Sequence, residues 1–287
     1  MARILKGKEV ADALTEKMQQ DVKQLKASGI TPTLCIFRVG ERPDDLSYER
    51  GAVKRAEKAG VEVKHVILPT DISQEEFDRE LAKVNEDDSI HGILLFRPLP
   101  KHLDEEKALR MLNPEKDVDG GTPLSLAGVF TNTKMGFPPC TAQAAMEILH
   151  HFGIPVRGKK AAVIGRSLVI GRPVAMMLMH ENATVVNCHT KTPDVPSITR
   201  QADILIAASG QLHSVTKEYT NPDQVVIDVG INWDEAKGGI SGDVNFEDVE
   251  SHVSAITPVP GGVGSVTTCV LISHVIEAAR LSRFATR

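Results

Sequence analysis

The 287-residue chain is poor in aromatic residues, which make up 4% of it and include a single tryptophan. That disfavours ring platforms for stacking nucleic-acid bases. An excess of positive charge is missing too: 33 Lys and Arg stand against 38 Asp and Glu, a formal net charge of −5. A general nucleic-acid partner is therefore not expected. No apolar run reaches the ~20 residues of a membrane helix, so no membrane partner is expected either. The opening segment, MARILKGKEVADALTEK, has no apolar core followed by a small-residue cleavage site, which predicts no secretory signal and a cytoplasmic protein. Cysteine is scarce: Cys35, Cys140, Cys188 and Cys269 lie far apart with no CxxC pair. Free thiols are expected, with neither a disulfide frame nor a metal centre. His150-His151 is no metal pair, since neighbours in a helix point apart.

What remains is ordinary globular material, 41% hydrophobic and 25% charged. Its length suits about two domains. Val10, Leu14, Met18 and Leu25 recur at helical spacing before Gly29. Residues 33–39, 61–68 and 90–96 read as strands, and 45–59 and 73–84 as helices, the second opened by a Ser-Gln-Glu-Glu capping box. Such alternation predicts a mainly parallel sheet. Residues 113–140, rich in glycine and proline, break the rhythm and read as an irregular domain crossing that lines a cleft. A second α/β unit follows: a helix over 142–151, strands at 160–164, 183–187, 203–208 and 224–229, a helix over 172–180, and a closing helix over 266–281. The predicted fold class is α/β with two domains, 1–140 completed by a terminal helix 265–287, and a Rossmann-like domain over 141–264 with a cleft between them.

Gly165-Arg166-Ser167-Leu168-Val169-Ile170-Gly171-Arg172-Pro173 joins a strand to a helix. Glycines there allow close approach to a phosphate, and the helix start offers free N–H groups. The spacing is neither G-x-G-x-x-G nor a P-loop, so on spacing alone the segment is either a nucleotide cradle or a plain tight turn. Arg166 could pair with a ribose 2′-phosphate. The second strand runs into Cys188, His189, Thr190 and Lys191, without the carboxylate that often accompanies NAD. That favours NADP over NAD.

Several segments together resemble the methylenetetrahydrofolate dehydrogenase/cyclohydrolase family. They are Val39-Gly40-Glu41-Arg42-Pro43 with Tyr48, Gly92-Ile93-Leu94 running into Pro98-Leu99-Pro100, Lys116-Asp117-Val118-Asp119-Gly120 and Pro139-Cys140-Thr141. The glycine loop with Gly171-Arg172-Pro173, Val226-Ile227-Asp228-Val229-Gly230-Ile231-Asn232, and Ile256 through Gly264 complete the set, in the family's order over nearly the whole chain. The resemblance implies a folate-binding domain with the last helix, an NADP-binding domain, a homodimer, and oxidation of 5,10-methylenetetrahydrofolate to 5,10-methenyltetrahydrofolate in one-carbon metabolism. Bifunctional members hydrolyse that product to 10-formyltetrahydrofolate.

By resemblance, Tyr48 lies against the folate and Asp119 grips the pterin, with Pro260, Gly261 and Gly262 also on the substrate. Gly165, Arg166, Ser167, Gly171, Arg172, Thr190 and Ile231 take the cofactor. Read alone, Tyr48 is a helix aromatic and Asp119 a turn residue; Asp228, ending a buried strand, reads as structural. The chain departs from the family at two positions: its lysine four residues after the tyrosine is Ala52, and its glutamine before the PLP motif is Phe96. Hydride transfer rests mainly on positioning. Hydrolysis needs a proton handler, commonly a contribution of ~10²–10⁴ in rate. The expectation is a dehydrogenase with a cyclohydrolase that is weak, absent or served by a substitute such as Lys54, Arg55 or Arg97. The rival readings are a fully bifunctional enzyme, a shikimate-type dehydrogenase, or a non-catalytic folate or nucleotide binder.

Overall fold

A computed structural model of the protein describes residues 1–285. The described chain forms two compact units, taken in turn: Ala13–Cys140 with the helix from Thr268 onward, and Met1–Asp12 with Thr141–Thr267.

The first unit holds a three-stranded parallel sheet in the order Glu62–Leu68, Thr33–Val39, Gly92–Leu95. Thr33–Val39 is buried at all seven positions because it is the central strand. A strand covered on both faces needs a continuous apolar run, and TLCIFRV supplies it but for Arg38. The Arg38 guanidinium is paired with Glu49 at 2.7 Å and with the Gly40 carbonyl. Helix Pro43–Ala59 starts with proline at its first turn and stops at Gly60, whose φ of 85° few other residues tolerate. It buries the small side chains of Ala52, Ala56 and Ala59. Helix Gln74–Glu86 has the capping box read from sequence: Ser73 accepts from the Glu76 amide, and Glu76 reaches back to the Ser73 amide. Phe77 on that helix meets Phe37 edge-on at 5.6 Å, at the centre of the core. Gly92 is required by close packing, since a Cβ there would strike Val118 and Val275 of helix Gly264–Ala285.

The stretch read as irregular contains helix Pro123–Thr131, with Thr122 accepting from the Ser125 amide as its N-cap and Asn132 left-handed at its end. Thr122-Pro123 is a helix-start signal that the surrounding glycines and prolines obscured.

The second unit is built on a six-stranded, all-parallel sheet in the order Arg3–Ile4, Ala255–Ile256, Val225–Asp228, Ile204–Ala207, Lys160–Ile164, Thr184–Cys188. Residues 1–12, read from sequence as part of the first domain, pack here, because Arg3 and Ile4 pair with Ala255 and Ile256. Two-residue strands are too short to leave a periodic pattern. The hairpin Asn232–Asp234/Gly239–Ser241 was equally invisible. Helix Gly264–Ala285 extends the expected closing helix at both ends; positions 286–287 of the sequence-based helix 265–287 lie outside the described residues. Among the described residues no helix is long and apolar enough to cross a membrane.

Candidate functional site

In the six-stranded sheet the chain leaves Lys160–Ile164 for Thr184–Cys188 on one side, then returns to Ile204–Ala207 on the other. Strand order reverses at that point, and ligands of open α/β sheets bind beyond the strand ends there. Gly165 follows the first of these strands. Its φ is 117°, and a Cβ on it would collide with the Ala208 carbonyl oxygen, just past Ile204–Ala207. A Cβ on Gly171 would collide with the Gly165 carbonyl, so the loop closes tightly on itself. Asn187, unremarked in sequence, donates its amide to the Gly165 and Val163 carbonyls at 2.6 and 3.0 Å. The amides of Ile170 and Arg172 donate to the Ser167 hydroxyl and carbonyl.

Helix Gly171–His180 has no acidic residue in its first turn. Arg166, Ser167 and Arg172 are exposed around it, as are Thr190 and Lys191 beyond Thr184–Cys188. Side-chain-free turns, a helix start and exposed cations fit a phosphorylated dinucleotide.

The same unit contains a cavity of ≈ 260 Å³ whose lining includes Ile231, Ile240, Pro260, Gly261, Gly262 and Asp228. The structure thus brings Ile231 together with the Pro260-Gly261-Gly262 segment, where sequence reasoning had assigned them to different ligands. The Val259–Pro260 peptide, whose state sequence left open, is cis. Asp228, 3% exposed, accepts from the amides of Gly230, Asp243 and Val244 at 2.9, 3.1 and 2.9 Å and so ties down the turn beneath Ile231. Burial pushes its carboxyl up to about 7, with the neighbouring Asp243 adding and the three amides opposing. A carboxyl raised in the fold binds its proton more tightly than in the unfolded chain, so its contribution to stability is full below about pH 4 and is lost as pH rises through about 7. Tm is expected to fall by several degrees between about pH 5 and pH 8, and Asp228→Asn, neutral throughout, to flatten that slope. An unchanged slope in thermal melts of the variant would refute the assignment.

In the first unit, Tyr48 and Ala52 lie one turn apart on helix Pro43–Ala59. Phe96 and Arg97 follow the carboxyl end of Gly92–Leu95. Phe96 packs edge-on against Tyr48 with ring centroids 6.0 Å apart, and Ala52 is fully buried. Tyr48 is half-buried; desolvation, with the Asp119 carboxyl adding, pushes its hydroxyl well above the ordinary value. Burial pushes Asp119 up to about 6, Asp117 acting in the same sense, while Arg97 and a hydrogen bond with the Cys140 side chain oppose it. Asp117, by contrast, is a structural carboxylate: it accepts from the Gly121 and Thr122 amides and the Ser125 hydroxyl at 3.1, 2.7 and 2.6 Å.

Sequence reasoning missed Cys140 and His274 beside Asp119. Burial raises the Cys140 thiol well above its usual range and lowers His274 to about 4, leaving it neutral. The substitutes for a proton handler are paired elsewhere or exposed. Arg55 donates to the Thr15 hydroxyl at 2.8 Å, Lys54 is exposed, and Arg97 pairs with Glu105 at 3.7 Å.

Known proteins match this architecture along its length. The family model described as tetrahydrofolate dehydrogenase/cyclohydrolase, catalytic domain, matches residues 5–119; that described as the NAD(P)-binding domain of the same enzymes matches 139–283. The chain is 51% identical over 282 residues to the bifunctional protein FolD of Carboxydothermus hydrogenoformans, covering 98% of each. It is similar in structure to the bifunctional FolD methylenetetrahydrofolate dehydrogenase/cyclohydrolase of Campylobacter jejuni (TM-score 0.94, 37% identity, 98% of this chain and 99% of that one). The Trypanosoma brucei enzyme, solved with NADP and an inhibitor, superposes with TM-score 0.91 at 35% identity over 98% of both chains.

Proposed function

Because this chain belongs to the tetrahydrofolate dehydrogenase/cyclohydrolase family, we propose that it oxidises 5,10-methylenetetrahydrofolate to 5,10-methenyltetrahydrofolate with NADP. The observation that carries this reading is the family match over both units, at 51% identity to a full-length relative. NADP, when bound, supplies the nicotinamide that accepts the hydride. Gly165, Ser167 and Gly171 shape its phosphate cradle, and Arg166, Arg172 and Thr190 face the 2′-phosphate side. No carboxylate follows Thr184–Cys188 closely enough to select a free ribose hydroxyl instead.

Asp119 accepts from the N–H edge of the pterin, and Tyr48 lays its ring against the folate. Pro260, Gly261 and Gly262 give a backbone that a ligand can approach closely. The methylene carbon needs no acid or base to lose hydride, because two nitrogens stabilise the resulting cation. Ala52 and Phe96 offer no proton acceptor, so hydrolysis of that cation is the weaker activity. A fully bifunctional enzyme is the second reading, favoured by the bifunctional names of its relatives, with Arg97 the substitute beside Asp119. On this reading the protein is a homodimer, as the family resemblance implies, and acts in the cytoplasm, as its free cysteines suit.

Mixing the enzyme with NADP and 5,10-methylenetetrahydrofolate is expected to produce NADPH absorbance that requires all three. Absence of NADPH at every substrate concentration overturns the proposal, and equal rates with NAD overturn its cofactor assignment.

A further inference from the structure

Helix Gly264–Ala285 carries one polar ring into the first unit beside Asp119. His274 is buried, and its Nδ1 lies 2.8 Å from the Val118 carbonyl oxygen, an atom that can only accept. The imidazole is therefore the Nδ1–H tautomer and donates that bond. The Val118 carbonyl belongs to the peptide that leads directly into Asp119. Cys140 closes on the same atom: its Sγ donates to the Val118 oxygen at 3.2 Å and lies 3.7 Å from His274 Nδ1. Phe137 stacks on the imidazole at 4.9 Å, fixing the ring plane. Two turns of chain far apart in sequence thus clamp one peptide plane. On the other side of Asp119, Gly120 has a φ of 72°, and a Cβ there would strike the Phe137–Pro139 backbone. The segment has little freedom once Val118 is held.

We propose that His274 is a positioning residue for the folate substrate: its Nδ1–H fixes the Val118–Asp119 peptide and so aims the Asp119 carboxyl. This rests on the reading of Asp119 as the pterin-gripping group. A ring that merely filled space would not need its nitrogen on a carbonyl. A carboxyl that swung freely would lose part of the gain from two parallel hydrogen bonds.

Two amides separate these roles. Asn places its N–H near the position of imidazole Nδ1, whereas Gln reaches toward Nε2, and the two are similarly polar. His274→Asn is expected to keep KM for 5,10-methylenetetrahydrofolate within about twofold of wild type. His274→Gln is expected to raise it about tenfold, the worth of one hydrogen bond, with kcat and KM for NADP nearly unchanged. Hydrogen–deuterium exchange over residues 118–121 should quicken in the Gln variant only. Equal behaviour of the two variants in both measurements overturns the proposal. If the wild-type protein oxidises no methylenetetrahydrofolate, the folate reading fails by itself, and the exchange difference alone decides whether His274 holds the segment. Should neither variant fold, ¹⁵N shifts of the wild-type imidazole decide: an unprotonated Nδ1 overturns the assignment.

Discussion

Ala52→Lys combined with Phe96→Gln is expected to raise the rate of 5,10-methenyltetrahydrofolate hydrolysis by about 10²–10⁴, the usual contribution of a positioned proton handler. The reaction adds water to a cation and must then move a proton off that water and collapse a tetrahedral intermediate. At these two positions the protein offers a methyl group and a phenyl ring. Tyr48 and position 52 share a helix face, and Phe96 packs edge-on on that face at Tyr48. The two replacements are therefore coupled in volume as well as chemistry. Lysine alone adds a long stem to a fully buried site, where overpacking typically costs about 1–3 kcal/mol. Removing the phenyl ring makes room and supplies an amide to orient the ammonium. The single variant should gain less than the pair, and NADPH formation should change little in either. Decay of methenyltetrahydrofolate absorbance, measured against buffer alone, tests this. Wild-type hydrolysis already far above background would show that a substitute such as Arg97 does the work.

Asp119→Ala should raise KM for 5,10-methylenetetrahydrofolate by about two orders of magnitude while leaving KM for NADP within about twofold. The carboxylate offers two charge-assisted acceptors, and losing such a pair costs about 3 kcal/mol or roughly a hundredfold in affinity. Its partners set a pH signature. Because burial and Asp117 hold the group at about 6, it ionises across the acid side of neutrality. In wild type, kcat/KM for the folate should fall as pH drops below about 6, with the slope of one proton; in Asp119→Ala that slope should vanish. Steady-state kinetics across pH would contradict the role if the variant kept the wild-type KM or the same acid limb.

Much of this was readable beforehand, for physical reasons. Thr33–Val39 announces itself because a central parallel strand must be apolar throughout. Ser73 and Glu76 mark their helix because capping is local chemistry. Ala52 and Phe96 could be singled out only through the family resemblance, which places a lysine four residues after Tyr48 and a glutamine before Pro98. His274 and Cys140 could not. Their partner is a backbone carbonyl supplied by a segment more than a hundred residues away from His274, and nothing in ISHVI hints at it. The strand Arg3–Ile4 was hidden likewise: its partner lies at the other end of the sequence.

That pairing has a consequence for the nascent polypeptide. Arg3 and Ile4 leave the ribosome roughly 250 residues before Ala255 and Ile256, a wait on the order of ten to fifty seconds at ~5–20 residues per second. The Val225–Asp228 strand, made about 30 residues before its partner Ala255–Ile256, keeps one naked hydrogen-bonding edge for only a few seconds at that rate, whereas Arg3–Ile4 stays unpaired for the whole wait. The helix that brings His274 and Val275 to the first unit is synthesised later still. Neither unit can close before helix Gly264–Ala285 has begun to emerge, so release of the chain before that point would leave both unfinished and prone to aggregate.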